Sequence, residues 1–180
     1  AGMRPENLPD YLLLVSAENN TRTVDYRDRA TAVLWGDASS AAIVSPRVPS
    51  RMRVVQTTLA SDPAGWDKVT IPTGGHFIQQ GRAVQGFAIR RTAETLELLR
   101  RHSQQSPERF HFIGHQANLL MLQNVCERCG VPPERHHFNV DEYGNTGAAG
   151  APCVLSQNWE NFREGDEIAL VVVGSGLTWG

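Results

Sequence analysis

No apolar run in this chain reaches the roughly 18 residues that a membrane-spanning helix requires, and Ala1-Gly2-Met3-Arg4 is not followed by a secretory-signal core. An excess of one charge is also missing. The 180 residues carry 17 basic and 19 acidic side chains, a formal net charge of -2, and the arginines are scattered apart from Arg90-Arg91 and Arg100-Arg101. That distribution lacks the footprint of a nucleic-acid binder. Cysteine is scarce. Cys126, Cys129 and Cys153 cannot build a disulfide framework and suit a reducing compartment, so the expected location is cytoplasmic, with neither nucleic acid nor membrane as partner. Nor is there a Gly-x-Ser-x-Gly elbow for a serine nucleophile. What is present, 41% hydrophobic and 20% charged residues, describes one globular domain, or part of one, with enough mass for a core.

Cys126-x-x-Cys129 with His136-His137 nearby invites a zinc reading. Against it, Leu122, Val125, Cys126 and Cys129 fall at i, i+3, i+4 and i+7, the buried stripe of a helix that ends at Gly130 before Pro132-Pro133. Adjacent histidines on a strand point to opposite faces and cannot share one ion. No metal site is therefore expected, and Cys153, inside a run of small residues, reads as packing.

The remaining pattern alternates strands and helices, an α/β arrangement. Tyr11 to Ala17 is a continuous apolar run that fits a strand covered on both faces. Ala30 to Trp35 and Ala41 to Val44 read as two more strands around Gly36-Asp37. Pro46 to Arg53 is the best internal boundary, with Arg53 to Leu59 opening a new strand. Asp62 to Trp66 and Pro72 to Gly75 are loops rich in turn formers. Gln80 to His102 is the longest helix, with Val84, Phe87, Ala88, Leu96 and Leu99 on one stripe and Glu97 to Arg101 as an i,i+4 ion pair. Ile168 to Val173 is the most apolar strand and reads as the sheet's centre.

Phe110 to Ile113 reads as a short buried strand, Gly114 as a tight exit and Gln116 onward as a helix. His115 then sits on a strand-to-helix turn, where open α/β sheets place their chemistry. Phe138-Asn139-Val140 likewise reads as a strand running into the turn at Gly144-Asn145, followed by a small-residue helix from Gly147 through Trp159. Singly, a strand-end histidine is more often a hydrogen-bonded structural residue, and Gly-Asn is usually only a turn. Together, and with the strand end Gly174-Ser175-Gly176, they read as one pocket.

His115-Gln116-Ala117-Asn118, Gly144-Asn145-Thr146-Gly147-Ala148-Ala149 and Gly174-Ser175-Gly176-Leu177-Thr178-Trp179-Gly180 resemble the C-terminal half of 3-oxoacyl-[acyl-carrier-protein] synthase III, of the thiolase superfamily. Trp35-Gly36-Asp37-Ala38-Ser39-Ser40-Ala41-Ala42 and Gln80-Gly81-Arg82-Ala83-Val84 resemble two further signatures of that family, in the right order. The resemblance implies a thiolase-like layered α/β/α fold, residues 1–47 ending its first half and 48–180 forming its second. It implies a Cys-His-Asn site with His115 and Asn145 as two members. The cysteine would lie upstream, on a helix whose end falls near Ala1-Gly2. The backbone N–H of Ser175 would serve an oxyanion hole, and Gly81, Arg82, Gln116, Ala117 and Asn118 would contact the substrate or CoA. No cofactor is implied; the substrates would be acyl-CoA and a malonyl thioester, joined by decarboxylative condensation. Implied partners are acyl-CoA or acyl-carrier-protein thioesters, the N-terminal half with its cysteine, and a second copy in a homodimer.

Two departures bear on the donor. Gln85-Gly86 replaces the family's usual aromatic-lysine pair, and Leu120 stands where carrier-protein-dependent members tend to have arginine. Both remove positive charge from a surface that would dock an acidic carrier protein, which favours CoA. The alternatives are acyl transfer to an alcohol or amine on the same fold, and a non-catalytic subunit or fragment.

Overall fold

The computed structural model describes residues 7–180, so the expected helix end at Ala1-Gly2 lies outside it. Strands β1 (Leu12–Glu18) and β2 (Ala38–Val44) come first, followed by the short β3 (Ala60–Ser61), β4 (Val69–Thr70) and β5 (Ile78–Gln79) and the long helix α1 (Gly81–His102). Then come β6 (Phe110–Gly114), α2 (Leu119–Cys129), β7 (His136–His137), α3 (Val140–Tyr143), α4 (Gly150–Gln157), β8 (Glu167–Val171), β9 (Val173–Gly174) and β10 (Thr178–Trp179).

The main sheet is built on β6, which pairs in parallel with β7 on one side and β8 on the other. Val172, between β8 and β9, exchanges hydrogen bonds with Gly180 in both directions (2.9 and 3.1 Å), so Glu167 to Gly174 runs as one strand. Its second half pairs antiparallel with β10, which pairs antiparallel with β3. The order β7-β6-β8/β9-β10-β3 puts the Ile168 to Val173 run in the middle, as its apolarity implies.

Side chains alternate across β6. Phe110 and Phe112 join Leu96 of α1, Leu122 and Val125 of α2, and Ala169 and Val171 of β8 in one core. Ile113 joins Ala151 and Val154 of α4 and Phe162 in the other. Helices thus cover both faces in a layered α/β/α arrangement. Helix α2 ends as its sequence predicts, at Gly130 in the left-handed region (φ 62°), and Cys126 and Cys129 are buried on its inner stripe. Burial pushes the Cys126 thiol up to about 12, which makes it inert. His136 stacks on Phe112 and His137 on His111, on opposite faces of β7. Among the described residues no group of three ligating side chains could hold a metal ion, and no helix is long and apolar enough to cross a membrane.

Several local expectations are not met. Ala30 to Trp35 is not a strand. Asp28 accepts hydrogen bonds from Ala30 N and Thr31 Oγ1, which curls the chain into the 3-10 turn Ala32–Leu34, and only Trp35 makes a bridge, to Asn145. Arg53 to Leu59 has no ladder partner among the described residues; pairing begins at Ala60. The strand expected over Phe138 to Val140 stops at His137, and one turn of helix, α3, follows. Helix α2 begins at Leu119 and not at Gln116, because Asn118 caps it by accepting from Met121 N (3.0 Å). Helix α4 ends at Gln157, before Trp159. Strand β1 forms as expected, but Leu13, Leu14 and Val15 are 65%, 57% and 62% exposed, so neither face is covered.

Candidate active site

His115 leaves the end of β6 through a turn closed by Ala117 N donating to the His115 carbonyl (2.8 Å). Gly114 is required there by space. A Cβ on it would strike Leu122 Cδ2 and lie 2.8 Å from Phe112 Cζ, so the strand end sits directly on the core. The imidazole is half-buried in the cavity wall with no ionised group to offset its lost hydration, and burial pushes its pKa down to about 4. At neutral pH His115 is an uncharged hydrogen-bond donor or acceptor.

Asn145 is placed by a clasp between distant parts of the chain. Its N–H donates to the Leu34 carbonyl (2.7 Å) and its carbonyl accepts from Gly36 N (3.0 Å). Two glycines permit this approach: a Cβ on Gly36 would run into the Tyr143 carbonyl, and one on Gly144 (φ 69°) would lie 2.9 Å from the Leu34 carbonyl. Asn20 Nδ2 donates to the Gly36 carbonyl (3.3 Å), and Glu18 Oε1 accepts from Ala148 N (3.2 Å), fastening the end of β1 to the same loop. The Asn145 side chain is oriented by its own loop. Oδ1 accepts from Gly147 N (3.0 Å), which leaves Nδ2 as the group able to donate to a ligand.

His115 and Asn145 line one cavity of about 930 Å³, shared by Gly81, Ala117, Asn118 and Ser175. The Ser175 carbonyl accepts from Thr178 Oγ1 (3.2 Å), while its N–H finds no acceptor among the described residues. Two anticipated contacts are not in the wall. Arg82 is exposed in the first turn of α1, next to Gly81 of the wall, and Gln116 is fully buried behind the wall. Asn118 lines the cavity, but its side-chain oxygen is engaged in capping α2.

Composition and motif reasoning missed much of the wall. Trp35 and Phe77 meet edge to face at 4.4 Å between ring centres, and both line the cavity with Asn20, Val69 and Ile71. The loops Asp62 to Trp66 and Pro72 to Gly75 do not line it; their neighbours do. The usable signal was Trp35, a large aromatic set beside Gly36 where a plain turn needs none. None of the three cysteines lines the cavity. Cys153 points instead at the Ser39 carbonyl (3.8 Å).

Two family models match the chain: "3-Oxoacyl-[acyl-carrier-protein (ACP)] synthase III C terminal" over residues 99–180 and "3-Oxoacyl-[acyl-carrier-protein (ACP)] synthase III" over residues 4–63. Beta-ketoacyl-[acyl-carrier-protein] synthase III 2 of Deinococcus radiodurans is 33% identical over 193 residues, covering 99% of this chain and 57% of the relative. The Bacillus pumilus synthase III is 35% identical, covering 94% of this chain and 55% of its own length. Among solved structures, the Thermus thermophilus synthase III superimposes with a TM-score of 0.84 at 36% identity, over 94% of this chain and 57% of that one. The Aquifex aeolicus synthase gives 0.86 at 28% identity, covering 94% and 56%. The chain therefore spans little more than half the length of the relatives it matches.

Proposed function

The chain belongs to the 3-oxoacyl-[acyl-carrier-protein] synthase III family, with the layered fold of the thiolase superfamily, and from that premise we propose that it is the His- and Asn-bearing part of a cytoplasmic condensing enzyme. The observation that carries this reading is the convergence of His115 and Asn145 on one cavity, the first held neutral and the second oriented to donate. Residues 1–47 then close a first half of the fold and 48–180 form the second. The nucleophilic cysteine comes from a segment outside this chain, since none of its own three reaches the cavity.

The reaction starts when that cysteine, as a thiolate, attacks the carbonyl of an acyl thioester and expels the donor thiol. A malonyl thioester enters next. His115 and Asn145 Nδ2 donate to its thioester oxygen, so the electron pair freed when the carboxylate departs as CO2 is held as an enolate. The enolate carbon attacks the acyl-cysteine carbonyl, the carbon-carbon bond forms, and the tetrahedral oxyanion is held by backbone N–H groups, Ser175's among them. Its collapse expels the cysteine thiolate and releases the 3-oxoacyl thioester.

Leu120, 74% exposed in the first turn of α2, and Gln85 and Gly86, exposed on α1, are uncharged, and the lack of a cation at those positions supports CoA as the donor carrier. The uncovered faces of β1 support assembly with a first half and a second copy. Acyl transfer to oxygen or nitrogen would not need the Asn145 amide. The test is made on the full-length protein, comparing wild type with Asn145→Ala. Intact-mass spectra should show one acyl group gained from a short acyl-CoA by both. CO2 release from malonyl-CoA should fall about 10²- to 10³-fold in the variant. Undiminished CO2 release would sink the condensing role.

A further inference from the structure

Gln116 is the polar side chain next to the site that the chemistry above leaves unused. It is 0% exposed. A buried carboxamide is costly unless both its ends are bonded. Here both are: Nε2 donates to the Gly114 carbonyl (2.8 Å) and Oε1 accepts from Asn139 N (2.9 Å).

The identity of the two partners matters. Gly114 is the last residue of β6, immediately ahead of His115. Asn139 is the N-cap residue of α3, whose single turn is closed by Tyr143 N donating to the Asn139 carbonyl (3.0 Å) and Gly144 N to Val140 (3.0 Å). Asn145 follows directly. One side chain therefore joins the root of the histidine turn to the root of the asparagine turn. The bridge is extended by Asn139 Nδ2, which donates to Gln157 Oε1 at the end of α4 (2.9 Å). It also accounts for Gly150: a Cβ there would lie 2.9 Å from Gln116 Cβ. A side chain serving only to close its own turn would need the first bond alone. An amide supplies one donor and one acceptor in this shape without charge at any pH; a carboxyl does so only while it is protonated.

We infer that Gln116 is a positioning residue that sets the separation and aim of His115 and Asn145, so that both reach one thioester oxygen. This rests on the reading of those two residues as paired donors. Two donors converging on one atom tolerate little misplacement, and a shift of about 1 Å can cost on the order of 100-fold in rate.

The test uses the full-length protein and two reactions, acylation of the cysteine by acyl-CoA and CO2 release from malonyl-CoA. Gln116→Met keeps the volume and removes both bonds. It should lower kcat for CO2 release roughly 10- to 100-fold, with the malonyl-CoA KM and the extent of acylation little changed. Gln116→Glu supplies an independent readout. Protonated, its carboxyl can donate to Gly114 and accept from Asn139; ionised, it cannot donate. CO2 release by this variant should therefore fall as pH rises, over a range where the wild type does not change. A parallel loss of acylation and decarboxylation, or CO2 release by Gln116→Met equal to wild type, would overturn the assignment. If the wild type itself acylates but releases no CO2, the condensing reading fails, and the pairing on which this role depends fails with it.

Discussion

Strands β1 and β6 are both short runs of large apolar side chains, Leu-Leu-Leu-Val-Ser-Ala-Glu in one and Phe-His-Phe-Ile-Gly in the other, yet every residue of β6 is buried while the middle of β1 is exposed on both faces. Both have their backbone paired, β1 along seven residues with β2. Pairing and cover are thus separate requirements. An apolar run dictates that a strand is wanted in a dry place; it does not say which segment supplies the cover. For β6 that segment is within the chain, as α1, α2 and α4. For β1 no described residue provides it.

The largest effect should come from cutting into the covered strand. Phe112→Ala, emptying a fully enclosed ring site, should cost about 3–5 kcal/mol in denaturant unfolding of the 180-residue chain. A loss under about 1 kcal/mol would mean that the layered core is not what holds this region together.

Acid should produce the next effect, confined to the same region. The β1–β2 segment contains no histidine, whereas burial lowers the pKa of His115 and His136 to about 4 and also lowers those of His111 and His137. An unfolded chain takes up these protons near pH 6.5; the native one takes them up only at lower pH, about 4 for His115 and His136. The unfolded state therefore binds more protons in that window. The contribution is fully present above about pH 6.5 and is lost as pH falls toward 4. Thermal midpoints should drop across that interval, with amide protection lost first in β6, β7 and α2. A flat midpoint from pH 7 to 4.5 would contradict it.

The smallest effect, and the sharpest test of the contrast, is Leu13→Ser. In the 180-residue chain it should shift stability by no more than about 0.5 kcal/mol, because the side chain is already in water. In the full-length protein, with β1 covered as proposed, the same change should cost about 2 kcal/mol. A large cost in the short chain would show that a second copy covers β1 in solution.

Much of the second region was legible residue by residue. The α1 stripe, the Leu122-Val125-Cys126-Cys129 face of α2, its glycine stop and the strand-turn-helix carrying His115 are local patterns, set by helical and strand periodicity and by backbone freedom at Gly130. Two of the errors trace to contacts between distant segments. Ala30 to Trp35 has strand-like composition but is claimed by Asp28 on one side and by Asn145, more than a hundred residues away, on the other. The family resemblance placed Gln116 among the ligand contacts; its side chain turns inward, where it is the acceptor for Asn139 N. Neither partner can be found from the spacing of neighbouring residues.

By itself, then, the sequence determined the helices α1 and α2 with their apolar stripes, the apolar strands β1, β6 and β8, and which motifs of a condensing-enzyme family it carries, because those depend on a few adjacent residues. Only the tertiary structure decided that the Leu34-Trp35-Gly36 clasp holds Asn145 and that Gln116 ties its loop to the His115 turn. Each of those depends on contacts between segments far apart in the chain, and on burial that no single segment produces alone.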